Sequence, residues 1–216
     1  MRSRQVDMKT KLLALVTLFG TALAGSAQAI DLTFAGMSLP NALTASISVN
    51  GSSFTSVYAG QLKFTSSSGS LSTYCADALS FLNSSSHSYT TSSLTLTPDT
   101  NLGKAATILS NNQAGALTAA QQAGLQLAIW EALYDGGTTF DASGAKFQAK
   151  GVSSEVLGFA SSYYGSYCDP ASNPVTHFGT NQSGGQSQMT AVPEPMTVAA
   201  LGLGSLALLR RRKRSA

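Results

Sequence analysis

The sequence has little charge, and this scarcity narrows the class of protein it can encode. Charged residues make up 11% of the 216 positions, whereas about a quarter is usual in soluble domains. Serine, threonine, glycine and alanine dominate instead, which is typical of extracellular β-rich proteins and unlike a cytosolic enzyme. Enough large apolar residues remain for one modest core, so we expect one domain with targeting tails.

The residue patterns of common enzyme and metal sites are also missing. The two histidines, His87 and His177, do not have the spacing of metal ligands. No Gly-x-Ser-x-Gly turn is present, and no glycine-rich phosphate loop follows a predicted strand. We therefore expect a protein that is not an enzyme and that holds neither a metal ion nor a cofactor.

Basic residues are concentrated at the two ends of the chain. Nine of the thirteen lie before position 12 or after position 209, while the span 30–195 contains four lysines and nine acidic residues, a net charge of −5. A nucleic-acid partner inferred from the overall charge of +3 would depend on residues that serve membrane targeting. The sequence therefore predicts no nucleic-acid binding.

Residues 1–29 have the organisation of a secretory signal peptide. Basic residues up to Lys11 precede an apolar run over 12–23, and Ala27-Gln28-Ala29 has the small-x-small pattern that signal peptidase accepts. Export would bring the chain into a compartment where disulfides can form.

The exported body begins with a β pattern and continues with a helical one. Residues 31–96 predict four to six short strands, with a hairpin-type turn at Asn50-Gly51. Over about 101–167 the pattern becomes helical. Thr118 and Gln121 have capping-box spacing at the start of a helix that should run to Tyr134, and Ser154 should cap a later helix.

These patterns predict an α+β fold over residues 30–170. Its sheet should be an antiparallel sandwich or barrel-like sheet, and the helices over about 101–167 should form a small insert. Residues 171–191 are rich in Ser, Gly and Gln and predict a flexible linker.

Residues 192–216 resemble a PEP-CTERM sorting signal. Pro193, Glu194 and Pro195 precede an apolar stretch over 196–209 and a basic cluster over 210–214. The apolar stretch is shorter than the roughly 20 residues of a standard membrane helix, but basic flanking residues can hold such a segment in the membrane. The resemblance implies an inner-membrane precursor of a Gram-negative-type bacterium, cleaved by an exosortase and then displayed at the cell surface or in the extracellular matrix.

Two short motifs of the body resemble the Cys-Gln thioester-forming domains of bacterial surface adhesins. They are Tyr74-Cys75-Ala76-Asp77 and Gln126-Leu127-Ala128-Ile129-Trp130, with Leu125 where that family has threonine. The resemblance implies a thioester between Cys75 and Gln126 that could bind an amine- or hydroxyl-bearing target covalently. The residues beside this pair that could support it are Tyr74, Asp77, Trp130 and Glu131.

The residues themselves leave a second hypothesis open. Two cysteines in an exported chain are an even count, and a Cys75–Cys168 disulfide would close a loop of about 90 residues and stabilise it by roughly 4–5 kcal/mol. That bond would use the thiol that a thioester needs. The chain would then be a non-reactive structural matrix protein that associates with exopolysaccharide.

Overall fold

The computed structural model describes residues 29–180 and 185–191. The predicted signal peptide, apart from Ala29, and the predicted sorting signal lie outside the described residues. Within them, nine strands and three α-helices form a closed barrel, a smaller sheet and a helical layer.

The strands and helices are numbered in chain order. The strands are β1 Ala29–Met37, β2 Leu43–Val49, β3 Thr55–Ala59, β4 Leu62–Ser66, β5 Gly69–Cys75, β6 Ser86–Ser93, β7 Phe147–Lys150, β8 Val175–Gly179 and β9 Gln188–Ala191. The helices are α1 Asn101–Asn112, α2 Ala119–Tyr134 and α3 Ser154–Gly165, and a 3-10 turn follows at Ser166–Cys168.

Six strands close the barrel in the order β1-β4-β5-β9-β8-β6, and every neighbouring pair is antiparallel. The period-two pattern of the sequence explains the orientation of these strands. In β4, Leu62 and Phe64 are buried while Lys63 and Thr65 are exposed, because successive side chains point to opposite faces. The α+β class and the antiparallel barrel-like sheet predicted from sequence are confirmed.

A second sheet has the order β3-β2-β7. The β2–β3 hairpin turns at Asn50 and Gly51, which have φ angles of 51° and 75°. Asn and Gly tolerate this left-handed conformation best, so the predicted hairpin turn is confirmed. Strand β7 lies inside the span predicted as a helical insert and pairs with β2, so the insert is not wholly helical.

The prediction of a flexible linker over 171–191 is wrong where β8 and β9 form. These strands pair with each other and join β6 to β5, which closes the barrel. The polar composition was misleading because polar side chains of β9 are buried with partners. Gln188 is fully buried and accepts a hydrogen bond from Thr73 at 3.0 Å, and Thr190 contacts the Gln113 side chain.

Helix α2 is the central element of the helical layer. It begins with the predicted capping box of Thr118 and Gln121 and ends at Tyr134. Every residue from Gln122 to Ala132 is buried, as expected for a helix enclosed by other elements. The third helix begins one residue earlier than predicted, since its N-cap is Ser153 and not Ser154.

Candidate functional site

Cys75 and Gln126 meet in the interior between β5 and α2. The backbone N–H of Cys75 donates to Gln126 Oε1 at 2.9 Å, and Gln126 Nε2 donates to the carbonyl oxygen of Cys75 at 3.0 Å. The exposed fractions of the two residues are 3% and 1%. A buried carboxamide requires hydrogen-bond partners, and the end of β5 supplies both. The structure thus brings together the two residues that the sequence paired, whereas a thioester bond between them stays a prediction.

The Cys75 thiol is held by the turn that follows β5. Its Sγ donates to the carbonyl oxygen of Asp77 at 2.9 Å, and the backbone N–H of Asp77 donates to Sγ at 3.3 Å. Burial raises the pKa of the thiol to about 12, opposed by the Asp77 backbone and by the Trp130 indole. The thiol is therefore protonated at neutral pH.

A pocket of about 310 Å³ opens over this pair. Cys75, Gln126 and Trp130 line it, and none of the described residues that line it carries a charged side chain. The other lining residues are Phe34, Met37, Ser56, Val57, Tyr58, Gly60, Leu62, Ala78, Ser80, Phe81, Leu82 and Gln186. Tyr58 and Phe81 are 63% and 66% exposed, so apolar surface extends from solvent toward the buried pair.

Residues 76–85, here called the rim loop, form one wall of the pocket. Gln186 Nε2 donates to the carbonyl oxygens of Asp77 at 2.7 Å and Ser80 at 2.6 Å. The backbone N–H of Ala78 donates to Tyr134 Oη at 3.0 Å. The segment before β9 and the end of α2 therefore hold the rim loop from two sides.

Trp130 lies one helical turn after Gln126 and shares its face of α2. Its ring packs against Phe147 with centroids 6.3 Å apart, and the residue is 2% exposed. The indole Nε1 is buried and has no hydrogen-bond partner among the described residues.

Two of the predicted supporting residues lie elsewhere. Tyr74 is fully buried but packs in a different core cluster from Cys75, because neighbouring residues of a strand point to opposite faces. Glu131 neighbours Asp141 and Asp135 instead of Cys75, and its Oε1 accepts from the backbone N–H of Asp141 at 3.4 Å. Neither side chain supports the thiol directly.

Asp77 supports the site through its backbone more than through its carboxylate. The carboxylate accepts hydrogen bonds from the Leu79 backbone at 2.9 Å and the Ser80 hydroxyl at 2.5 Å, as in an Asx turn. The carboxylate therefore shapes the rim loop, and a role of Asp77 in supporting the thioester stays a prediction.

The alternative Cys75–Cys168 disulfide is not formed in the structure. Both cysteines are free, with Cys75 buried at the end of β5 and Cys168 exposed in the 3-10 turn. One cysteine therefore lies in the interior and the other at the surface, and a disulfide between them stays a prediction, as the thioester does. Pro193, Glu194 and Pro195 lie outside the described residues.

Sequence reasoning missed the residues that shape the pocket. Tyr134 could have been found, since Gln126, Trp130 and Tyr134 recur at intervals of four along α2 and share one face. Gln186 could not, because its neighbourhood has the composition of a linker. Tyr58 lies in β3 and Phe81 in the rim loop, so only the tertiary fold brings them to the same pocket.

No protein-family model, no curated protein and no solved structure matches this chain. Among residues 29–180 and 185–191, no group of three or more His, Cys, Asp or Glu side chains is arranged to hold a metal ion. The helices of this same part of the chain are all too short or too polar to cross a membrane.

Proposed function

We propose that the chain is an exported surface or matrix protein that binds its partners covalently through a thioester between Cys75 and Gln126. The observation that carries this proposal is the pair of hydrogen bonds by which the Cys75 backbone holds the Gln126 carboxamide at a pocket open to solvent. Such a fixed contact supplies the proximity that an unreactive amide needs, worth roughly 7–11 kcal/mol in favourable cases.

Thioester formation is a transfer of the Gln126 acyl group from nitrogen to sulfur. Cys75 Sγ attacks Gln126 Cδ, the Cδ–Nε2 bond breaks, and the thiol proton leaves with Nε2 as ammonia. Negative charge develops on Oε1 in the tetrahedral intermediate, where the backbone N–H of Cys75 already donates at 2.9 Å. A donor placed at a developing oxyanion is a general means of lowering such a barrier.

Binding of a partner transfers the Gln126 acyl group from the Cys75 sulfur to a nitrogen or oxygen of that partner. An amine or hydroxyl group of the partner attacks Cδ, forms an amide or ester with Gln126, and returns its proton to the Cys75 sulfur. Each molecule would react once, because the product lacks the activated bond, so the activity is bond formation without turnover.

The place of action follows from the chain ends, through the resemblances described above. Signal peptidase would release the chain at about Ala29, the apolar stretch 196–209 would hold the precursor in the inner membrane, and an exosortase would cleave near Pro193-Glu194-Pro195. Covalent capture of a surface or exopolysaccharide target is a function suited to that location.

Intact mass of the exported chain tests the proposal. We expect a mass lower by one ammonia, resistance of Cys75 to alkylation, and addition of one methylamine when that nucleophile is supplied. Gln126→Ala should abolish the ammonia loss, while the exposed Cys168→Ser should preserve it as the matched control. A full mass with alkylatable Cys75, or a loss of two hydrogens that reductant reverses, would contradict the proposal.

A further inference from the structure

The Trp130 indole is a buried donor in an unusual position. It lines the same pocket as Cys75 and Gln126, lies on the same helical face as Gln126, and leaves Nε1 without a hydrogen-bond partner among the described residues. Buried polar groups are nearly always paired, and leaving one unpaired lowers stability. The other unpaired buried donors of the described residues, the hydroxyls of Tyr74 and Tyr89, belong to residues that do not line this pocket, so the position of Trp130 favours a functional explanation.

The environment of the Cys75 sulfur supplies one. A neutral thiol is a weak acceptor, and Sγ already receives the Asp77 backbone N–H at 3.3 Å. A thiolate is a much stronger acceptor, and hydrogen bonds to charged groups are about twice as strong as neutral ones. The Trp130 N–H also favours the ionised form of the thiol, since it opposes the rise in the Cys75 pKa that burial causes.

We infer that Trp130 is the donor that stabilises negative charge on the Cys75 sulfur, through its indole N–H, in the transition states that make and break the thioester. This inference rests on the proposed thioester. During formation, charge accumulates on sulfur as the thiol loses its proton toward the departing Nε2. During capture, the Cδ–Sγ bond breaks and sulfur leaves as thiolate before it takes the proton of the incoming amine. This hydrogen bond is weak in the ground state, where the acceptor is a neutral thiol, and becomes strong in both transition states, where sulfur carries negative charge, which is the condition for a catalytic effect.

Other titratable groups also face the sulfur. The Asp77 carboxylate opposes ionisation of the thiol by like charge. The hydroxyls of Tyr89 and Tyr134 are close enough to interact with Cys75. Burial raises the pKa of both phenols, and the pKa of Tyr134 reaches about 12. Both phenols are therefore neutral at neutral pH.

The single tryptophan of the chain allows a sharp test. Growth of a tryptophan auxotroph on β-(3-benzothienyl)alanine replaces the indole N–H by sulfur at position 130 alone and keeps the bicyclic shape. We expect methylamine capture by the thioester to slow by about 10- to 100-fold, because the transition state loses one hydrogen bond to a charged sulfur. Tyr74→Phe, which removes an unpaired buried hydroxyl next to Cys75 on the opposite face of β5, is the matched control and should leave the rate unchanged.

A second measurement does not need the thioester. In the full chain carrying Gln126→Ala and Cys168→Ser, iodoacetamide reports the thiolate fraction of Cys75 at a fixed pH near 9. Loss of the indole N–H should slow alkylation by a similar factor, whereas simple loosening of the pocket would expose the thiol and accelerate it. Unchanged or faster alkylation would overturn the role of Trp130, and Trp130→Phe repeats the comparison if the analogue does not fold. Failure of the thioester itself would appear separately, as a full mass of the wild-type chain.

Discussion

Gln186 donates from Nε2 to the carbonyl oxygen of Ser80 at 2.6 Å and so joins the segment before β9 to the rim loop. The same nitrogen donates to Asp77, whose backbone also holds the Cys75 sulfur. The last strand of the barrel is therefore linked through one side chain to the wall of the reactive pocket. Strand β9 also pairs directly with β5, with Gln188 opposite Cys75.

We predict that Gln186→Ala loosens the rim loop without unfolding the barrel. Two carbonyl acceptors lose their donor, and a net hydrogen bond contributes about 1 kcal/mol. Hydrogen exchange of the Ala78 and Leu79 amides should accelerate about 10-fold or more, while the amides of α2 keep their protection. Gln148→Ala is the control, because Gln148 donates one hydrogen bond to Gly144 and does not line the pocket. This substitution should not change exchange in the rim loop. Equal protection in both variants would show that Gln186 does not hold the loop.

Gln126 should also stabilise the fold independently of any chemistry. In a Cys75→Ala background no thioester can form, yet the backbone groups of residue 75 still need the Gln126 carboxamide. Gln126→Ala in that background leaves a buried N–H and C=O unpaired, which should lower the free energy of unfolding by about 2–4 kcal/mol. Urea denaturation measures the change. A loss below about 0.5 kcal/mol would indicate that water replaces the side chain without penalty.

Local rules predicted the parts of the fold whose causes are local. The Thr118–Gln121 capping box and the Asn50-Gly51 turn depend on residues a few positions apart, and both form. Strands β8 and β9 could not be recognised, because their stability comes from distant partners such as Thr73 and Gln113. Tertiary context of this kind overrides intrinsic composition.

The candidate site was predictable to a similar depth. The sequence paired Cys75 with Gln126, and the Gln126 side chain is hydrogen-bonded to the Cys75 backbone. Orientation around that pair was not predictable. Tyr74 is next to Cys75 and Glu131 is next to Trp130, yet neither of them lines the pocket. Adjacency along the chain implies proximity of backbones only, and strand and helix geometry decide which side chains meet.

Glu131 should make stability depend on pH. Burial raises the pKa of its carboxyl to about 7, from an ordinary value of 4.5, and its Oε2 has no partner within the described part of the chain. A raised folded-state pKa means that ionisation opposes folding, so stability is retained below pH 4.5 and is lost as pH rises toward 7. The free energy of unfolding should fall by roughly 2–3 kcal/mol over this range, and by less where solvent screens the charge.

Glu131→Gln should remove this dependence. The stability of the variant relative to the wild type should increase as the pH rises from about 5 to about 8, because the wild-type carboxyl ionises in that range. Thermal unfolding across that range measures the difference. Glu155→Gln, at the exposed first turn of α3, is the matched control and should not show the same slope. A Glu131 variant whose advantage is constant with pH would contradict the assignment.

Gly124 permits the close approach of α2 and α3 that fixes the position of Gln126. A Cβ at residue 124 would lie 2.6 Å from Phe159 Cβ and 3.0 Å from the Ala160 backbone nitrogen, so Gly124→Ala must push the helices apart. Overpacking of this kind lowers stability by about 1–3 kcal/mol, and we expect thioester formation to slow as α2 shifts against β5. Gly158→Ala in α3 is the matched control, because nothing lies within 4 Å of its Cβ and alanine favours a helix by about 1 kcal/mol. The two substitutions should therefore change the unfolding midpoint in opposite directions, and changes of the same sign would show that the helices do not meet at Gly124.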